Sequence, residues 1–215
     1  MRLKVCCISS IDEARLAISL GADALGLVSS MPSGPGVIEE PLIAEIAASV
    51  PPPVATFLLT SEVDAETLIA QARRCRCSTL QLCDSVAAET YAALREAMPA
   101  LKLVQVIHVV GRSSVTEALA ASLHVDALLL DSGNPALKVK ELGGTGRTHD
   151  WSVSRAICEQ SKVPVFLAGG LRAENVAEAV SVAQPFGVDV CSGVRTNGKL
   201  DGGKLGTFVK ALGNK

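Results

Sequence analysis

Eight short apolar runs alternate with stretches of helical spacing along the whole chain, and that beat constrains the fold more than any single motif. The strand-like runs are LKVCCI (3–8), ALGLVS (24–29), VATFLL (54–59), TLQL (79–82), KLVQVI (102–107), ALLL (127–130), VPVFLA (163–168) and GVDVC (187–191). Between them lie helical patterns such as SIDEARLAISLGA, EPLIAEIAASV, DAETLIAQARRC, VTEALAASL and RAENVAEAVSVA. Several open on a capping residue followed by early acids, as in Ser10-Ile11-Asp12-Glu13 and Asp64-Ala65-Glu66. A spacing of about 20 to 35 residues between strands suits a strand, a helix and two short loops. Eight such units predict a closed (β/α)8 TIM barrel, with residues 1–215 forming one domain. An open doubly wound sheet would need fewer strands or a sharp break in the pattern.

The composition agrees. Hydrophobic residues make up 48% of the chain but aromatic ones only 3%, so the core must be built from Val, Leu, Ile and Ala. Parallel strands buried on both faces have that character. A formal net charge of -2 argues against nucleic acid or an anionic membrane as the main partner and leaves metabolite-sized ligands open. No apolar run approaches the roughly 18 residues of a membrane span, and MRLKVCC enters a strand pattern without a leader-cleavage site. Seven cysteines, an odd number in no secreted-type framework, predict a reducing cytoplasm. Cys75-Arg76-Cys77 lacks a second pair at zinc-ligand spacing and reads as structural.

In such barrels the reactive groups stand at the C-terminal ends of the strands. Glycines gather after the last three: Gly143, Gly144 and Gly146, then Gly169 and Gly170, then Gly193. Glycine lets backbone N–H groups approach a phosphate closely, so these loops predict a phosphate cup. Tight turns are the plainer account of any one of them. Asp131 follows the apolar ALLL run. Two roles fit that position: a partly desolvated general acid, or a carboxylate that caps the next loop. Strand alternation places Lys4, Cys6 and Ile8 on one face and Cys7 on the other, toward the helices. A buried cysteine is most often a small hydrophobe.

KVCCIS (4–9), GADALGLV (21–28), LQL (80–82), LLLDS (128–132), GGTGRTHDW (143–151), PVFLAGGL (164–171) and FGVDVCSGV (186–194) together resemble, in order, the phosphoribosylanthranilate isomerase family of tryptophan biosynthesis. The resemblance covers nearly the whole chain. It implies an Amadori rearrangement, without cofactor or metal, of N-(5-phosphoribosyl)anthranilate to 1-(2-carboxyphenylamino)-1-deoxyribulose 5-phosphate. Cys6 aligns with the family's general base and Asp131 with its general acid. An acid must protonate the furanose ring oxygen to open the sugar to a Schiff base. A base then takes the C2 proton, giving an enolamine that tautomerises to the ketone. A thiolate serves as that base where a cation supports it, and Lys4 is the nearby source. Phosphate is expected on the backbone of Gly144, Gly146, Gly170, Ser192 and Gly193. Asp189 either meets the polar middle of the substrate or makes a structural hydrogen bond. Barrels of this kind occur as monomers and homodimers.

The chain departs from the family pattern at several places. Where the family carries Ser-Pro-Arg after the second strand, with the arginine expected on the anthranilate carboxylate, the chain has SGPG, and Gly36 takes the arginine's position. Cys7 replaces a glycine, Cys83-Asp84 replaces His-Gly, and Arg195 replaces a glutamate. Either Arg112 or Arg195 supplies the missing cation from another loop, or the barrel acts on a different phosphorylated aminosugar. A non-catalytic phosphosugar-binding barrel would keep the glycine cup but need neither Cys6 nor Asp131. A zinc site from Cys6, Cys83 and Cys191 is a further possibility, set against the distance across the mouth.

Overall fold

The eight strands close into a parallel barrel in chain order, the eighth pairing back onto the first, in a computed structural model that describes residues 1–213. The strands are β1 (Arg2–Val5), β2 (Ala24–Val28), β3 (Ala55–Thr60), β4 (Thr79–Leu82), β5 (Lys102–His108), β6 (Ala127–Asp131), β7 (Val165–Leu167) and β8 (Gly187–Val190). Helices follow them in turn: α1 (Ile11–Ser19), α2 (Glu40–Ser49), α3 (Ala65–Cys75), α4 (Ala88–Ala97), α5 (Ser113–Ala121), α6 (Trp151–Gln160), α7 (Val176–Ala183) and α8 (Gly202–Ala211). After β8 the chain makes one 3-10 turn, Ser192–Val194, and a small hairpin of β9 (Arg195–Thr196) and β10 (Lys199–Leu200). Among the described residues no helix is long and apolar enough to cross a membrane.

Local chemistry sets the boundaries. Ser10 accepts a hydrogen bond from the N–H of Glu13, and Asp64 from that of Thr67, so both expected caps open their helices. β7 is shorter than its apolar run because Pro164 has no N–H to donate to the ladder. β1 also stops early, at Val5, and soon afterwards Cys7 adopts the left-handed region with φ +62°. β5 and β6 each run one residue beyond expectation, keeping His108 and Asp131 paired in the ladder.

Two apolar layers result. Leu3, Val5, Leu25, Leu27, Leu58, Leu80, Leu103, Leu128, Leu167 and Val188 point outward and pack with Ile43, Leu68, Leu94, Ile157 and Phe208 of the helices. Ala24, Phe57, Leu59, Val104, Val106, Leu129 and Phe166 fill the barrel axis. Phe57 and Phe166 meet edge to face with centroids 6.1 Å apart. A side chain at Gly187 would run into the Phe166 ring, 2.8 Å from where its Cβ would stand. The packed floor leaves the C-terminal mouth as the place for chemistry.

Candidate active site

At that mouth a cavity opens to solvent, walled by the ends of β1, β3, β4, β6 and β8 and by the loops after β2, β6, β7 and β8. Cys6, Asp131, Asp189, Gly144, Gly146, Gly170 and Ser192 all line it. Beneath its floor Lys4 is fully buried, with Nζ 2.9 Å from Oδ1 of Asp189. The pairing of β1 with β8 sets these two residues side by side. Gly26 on β2 provides the room: a Cβ there would stand 2.8 Å from Sγ of Cys6 and 3.1 Å from Nζ of Lys4. Cation and thiol therefore converge on one gap.

Burial opposes a charge on Lys4, but the Asp189 carboxylate, aided by the field of Cys6, outweighs it and raises the ammonium pKa above its ordinary value. Burial lifts the Asp189 carboxyl, Lys4 opposes that lift, and Asp131 adds to it. Lys4 is thus the fixed positive charge under the site, and it also lies 5.3 Å from the centre of the Phe57 ring.

Asp131 ends β6 and is largely buried; its Oδ1 accepts a hydrogen bond from the N–H of Ser132 at 2.7 Å. Two glycines press on the carboxylate. A Cβ at Gly143 would stand 2.8 Å from Oδ2, and one at Gly169 would stand 3.2 Å from Oδ1. His149 carries no expectation from the sequence, although it stands inside the GGTGRTHDW block. Its Nε2 pairs with Oγ of Ser154 at 2.7 Å, while its buried Nδ1 has no partner and faces the same Gly169 gap as Asp131, 3.2 Å from the absent Cβ. Burial holds this imidazole below the usual histidine range, with Asp131 opposing.

The polar end of the cavity is built from loops pressed together. Ser132 Oγ donates to the carbonyl of Arg147 at 2.6 Å and lies 2.8 Å from Oγ1 of Thr145, tying the β6 loop to its strand. Gly144, Gly146 and Gly170 have φ of +66°, +68° and +61°, and their N–H groups make no backbone bond among the described residues. Gly193 does not line the cavity. It lets the β8 loop touch the β7 loop, since a Cβ there would lie 2.1 Å from the carbonyl oxygen of Leu171. The cavity also has apolar and sulfur-bearing lining: Val28, Met31, Pro35, Leu59, Cys83 and Leu142. Burial pushes the Cys83 thiol up to about 12.

Several expectations need correcting. Cys7 does not face the helices: its left-handed backbone breaks the alternation, so it turns into the cavity beside Cys6 while Ile8 packs with the helix layer. Its sulfur lies 2.9 Å from that of Cys191. Arg195 supplies no cation to the mouth. It is buried against Glu13 at 3.2 Å and donates to the carbonyls of Cys6 and Cys7, so it braces the end of β1 from behind. Arg112 is exposed at the start of α5, away from the cavity. Among the described residues no arginine or lysine side chain lines the cavity. Lys140 and Asp84 form an ion pair linking the β6 and β4 loops. Among the described residues no three His, Cys, Asp or Glu side chains converge as metal ligands, Cys6, Cys83 and Cys191 included.

Comparison with known proteins gives this geometry a lineage. Residues 3–211 match the family model described as N-(5'phosphoribosyl)anthranilate (PRA) isomerase. The chain is 35% identical over 216 residues to N-(5'-phosphoribosyl)anthranilate isomerase 2 of Methanosarcina mazei, covering 100% of this chain and 95% of that one. Among solved structures it is similar to phosphoribosyl anthranilate isomerase from Thermus thermophilus, with a TM-score of 0.83 at 25% identity over 99% of this chain and 98% of that one. It is also similar to a phosphoribosyl anthranilate isomerase solved in complex with reduced 1-(o-carboxyphenylamino)-1-deoxyribulose 5-phosphate, with a TM-score of 0.78 at 26% identity over 98% of this chain and 97% of that one. With a closed eight-stranded barrel, one mouth holding thiol, carboxylate and glycine loops, and a family match along nearly its whole length, the chain belongs to the N-(5'-phosphoribosyl)anthranilate isomerase family.

Proposed function

We propose that the chain rearranges N-(5-phosphoribosyl)anthranilate to 1-(2-carboxyphenylamino)-1-deoxyribulose 5-phosphate in tryptophan biosynthesis, in the cytoplasm, with residues 1–215 acting as one domain. The observation that carries this is the convergence of Cys6, Asp131 and the glycine loops on one cavity with both polar and apolar lining. The phosphate lies on the backbone of Gly144, Gly146, Gly170 and Ser192, and the aromatic ring lies toward Met31, Leu59 and Leu142. Asp131 in its acid form protonates the ring oxygen, opening the furanose to a Schiff base. Cys6 as thiolate removes the C2 proton, with the Lys4 ammonium beside the same gap at Gly26. Reprotonation of the enolamine gives the ketone. The aldehyde carbon gains the two electrons that C2 loses, so no external redox partner or cofactor enters the balance.

One observation favours a second reading, a related aminosugar phosphate without the aromatic acid: among the described residues no arginine or lysine side chain lines the cavity. Rescue of a tryptophan auxotroph lacking this isomerase tests the main proposal, and Cys6→Ala and Asp131→Asn are expected to abolish rescue. Purified, folded protein that fails to rescue, and that turns over the aniline analogue as well as the anthranilate substrate, would move the assignment to the second reading.

A further inference from the structure

Cys7 and Cys191 are not needed by the acid–base chemistry, yet they stand together in its wall. Their sulfurs are 2.9 Å apart, closer than an unbonded contact between sulfurs and held as one hydrogen-bonded pair. Both are free thiols and both line the cavity that opens to solvent. The register of β8 beside β1 brings their strand ends together, and the left-handed backbone at Cys7 aims its sulfur across at Cys191. Arg195 adds a positive charge nearby and fixes the carbonyl of Cys7. We propose that Cys7 and Cys191 form a reversible redox site, closed to a disulfide by a small-molecule disulfide of the glutathione type, and that closure switches the isomerase off.

The electrostatics give the two sulfurs different roles. The hydrogen bond shared with Cys7, aided by Arg195 and opposed by burial, holds Cys191 below the usual thiol range. The same bond pushes Cys7 up, with burial adding to the shift. Cys191 is also the less buried of the two, so it is the attacking thiolate. Its sulfur attacks one sulfur of the oxidant, forming a mixed disulfide and expelling one small thiolate. The Cys7 sulfur, giving up its proton, then attacks the Cys191 sulfur and expels the second. Two electrons pass from the cysteine pair to the oxidant, which ends as two small thiols.

The bridge would draw the sulfurs from 2.9 Å to about 2.05 Å. Cys6 adjoins Cys7 and Ser192 adjoins Cys191, so the base and the phosphate loop both shift. A displacement of that order lowers kcat/KM by about ten- to a hundredfold.

The test uses the intact protein with excess oxidised glutathione, alkylation of remaining thiols and non-reducing peptide mapping. A linked peptide pair containing positions 7 and 191 is expected, with activity falling as it forms and returning with dithiothreitol. Cys7→Gly, tolerated by the left-handed backbone, and Cys191→Ser should each remove both the link and the sensitivity to oxidant. A link that persists in Cys7→Gly runs through Cys6 and overturns the proposal. So does a glutathione adduct on Cys191 that never resolves, or a bridge that leaves kcat/KM unchanged. The switch rests on the isomerase assignment. If the reduced protein proves inactive, that assignment fails, whereas the peptide map still decides whether the bridge forms.

Discussion

Cys7 fills the space that a side chain at position 36 would need: a Cβ on Gly36 would lie 2.5 Å from the Cβ of Cys7 and 2.9 Å from its sulfur. Where the family pattern pairs a glycine with an arginine, the chain pairs a cysteine with a glycine, and the size has moved from the β2 loop to β1. Gly36→Arg alone should cost about 3 kcal/mol, from overlap of about 1–3 and a left-handed backbone of about 1–2. Cys7→Gly alone should stay within about 1 kcal/mol, because relief of strain offsets lost burial. The double variant should recover the overlap and retain only the backbone strain. Urea unfolding of the four proteins decides it: additive costs would mean the two positions do not compete for space.

The ion pair of Lys4 and Asp189 joins a lysine buried beneath the site to a carboxylate in the cavity wall. Removing one partner leaves the other buried and unmatched, so Lys4→Met or Asp189→Leu should each lose about 3–5 kcal/mol. The double variant Lys4→Met/Asp189→Leu should lose much less than the sum. Denaturant midpoints with unchanged m-values provide the measurement.

His149 gives a pH signature. Its folded-state pKa lies below the ordinary 6.5, so as pH falls the unfolded chain takes up the proton first. Stability from keeping the ring neutral is complete above the ordinary value and is lost as pH drops through the lower, folded one. The melting temperature should therefore fall between about pH 7 and pH 5. His149→Gln, which keeps a partner for Ser154, should flatten that fall. An unchanged slope would show that other groups cause it.

Two glycines predict opposite outcomes. Gly193→Ala would press a methyl into the Leu171 carbonyl and part the β7 and β8 loops, raising KM about tenfold with a smaller change in kcat. Gly206, inside α8, has nothing within 4 Å of its absent Cβ. Gly206→Ala should add about 0.5–1 kcal/mol of stability and leave kinetics alone. Steady-state kinetics and thermal melts separate the two.

The barrel was legible because burial of a strand on both faces leaves a continuous apolar run, and eight such runs admit few closures. Strand ends placed Cys6 and Asp131 at the mouth, where both stand, but position alone left Cys6 a small hydrophobe and Asp131 a loop cap as readily as an acid, and only the family resemblance singled them out. The orientation of Cys7 was not legible, since alternation holds only while the backbone stays extended and nothing in KVCCIS announces a left-handed residue. The brace of Arg195 on Glu13 was hidden for another reason: the two lie 182 positions apart and meet only when β8 returns to β1. His149 was passed over because a histidine beside a helix cap is ordinary until Gly169 is seen to open a path toward Asp131.

The Lys4–Asp189 pair also governs how the molecule comes into being. Lys4 belongs to the first strand and its carboxylate partner Asp189 to the last, so an incomplete barrel must either leave this lysine in water or bury it without that partner. Docking of β8 and dehydration of the ammonium are then one event, and a ring lacking its final stave has neither a stable interior nor a charged floor under Cys6.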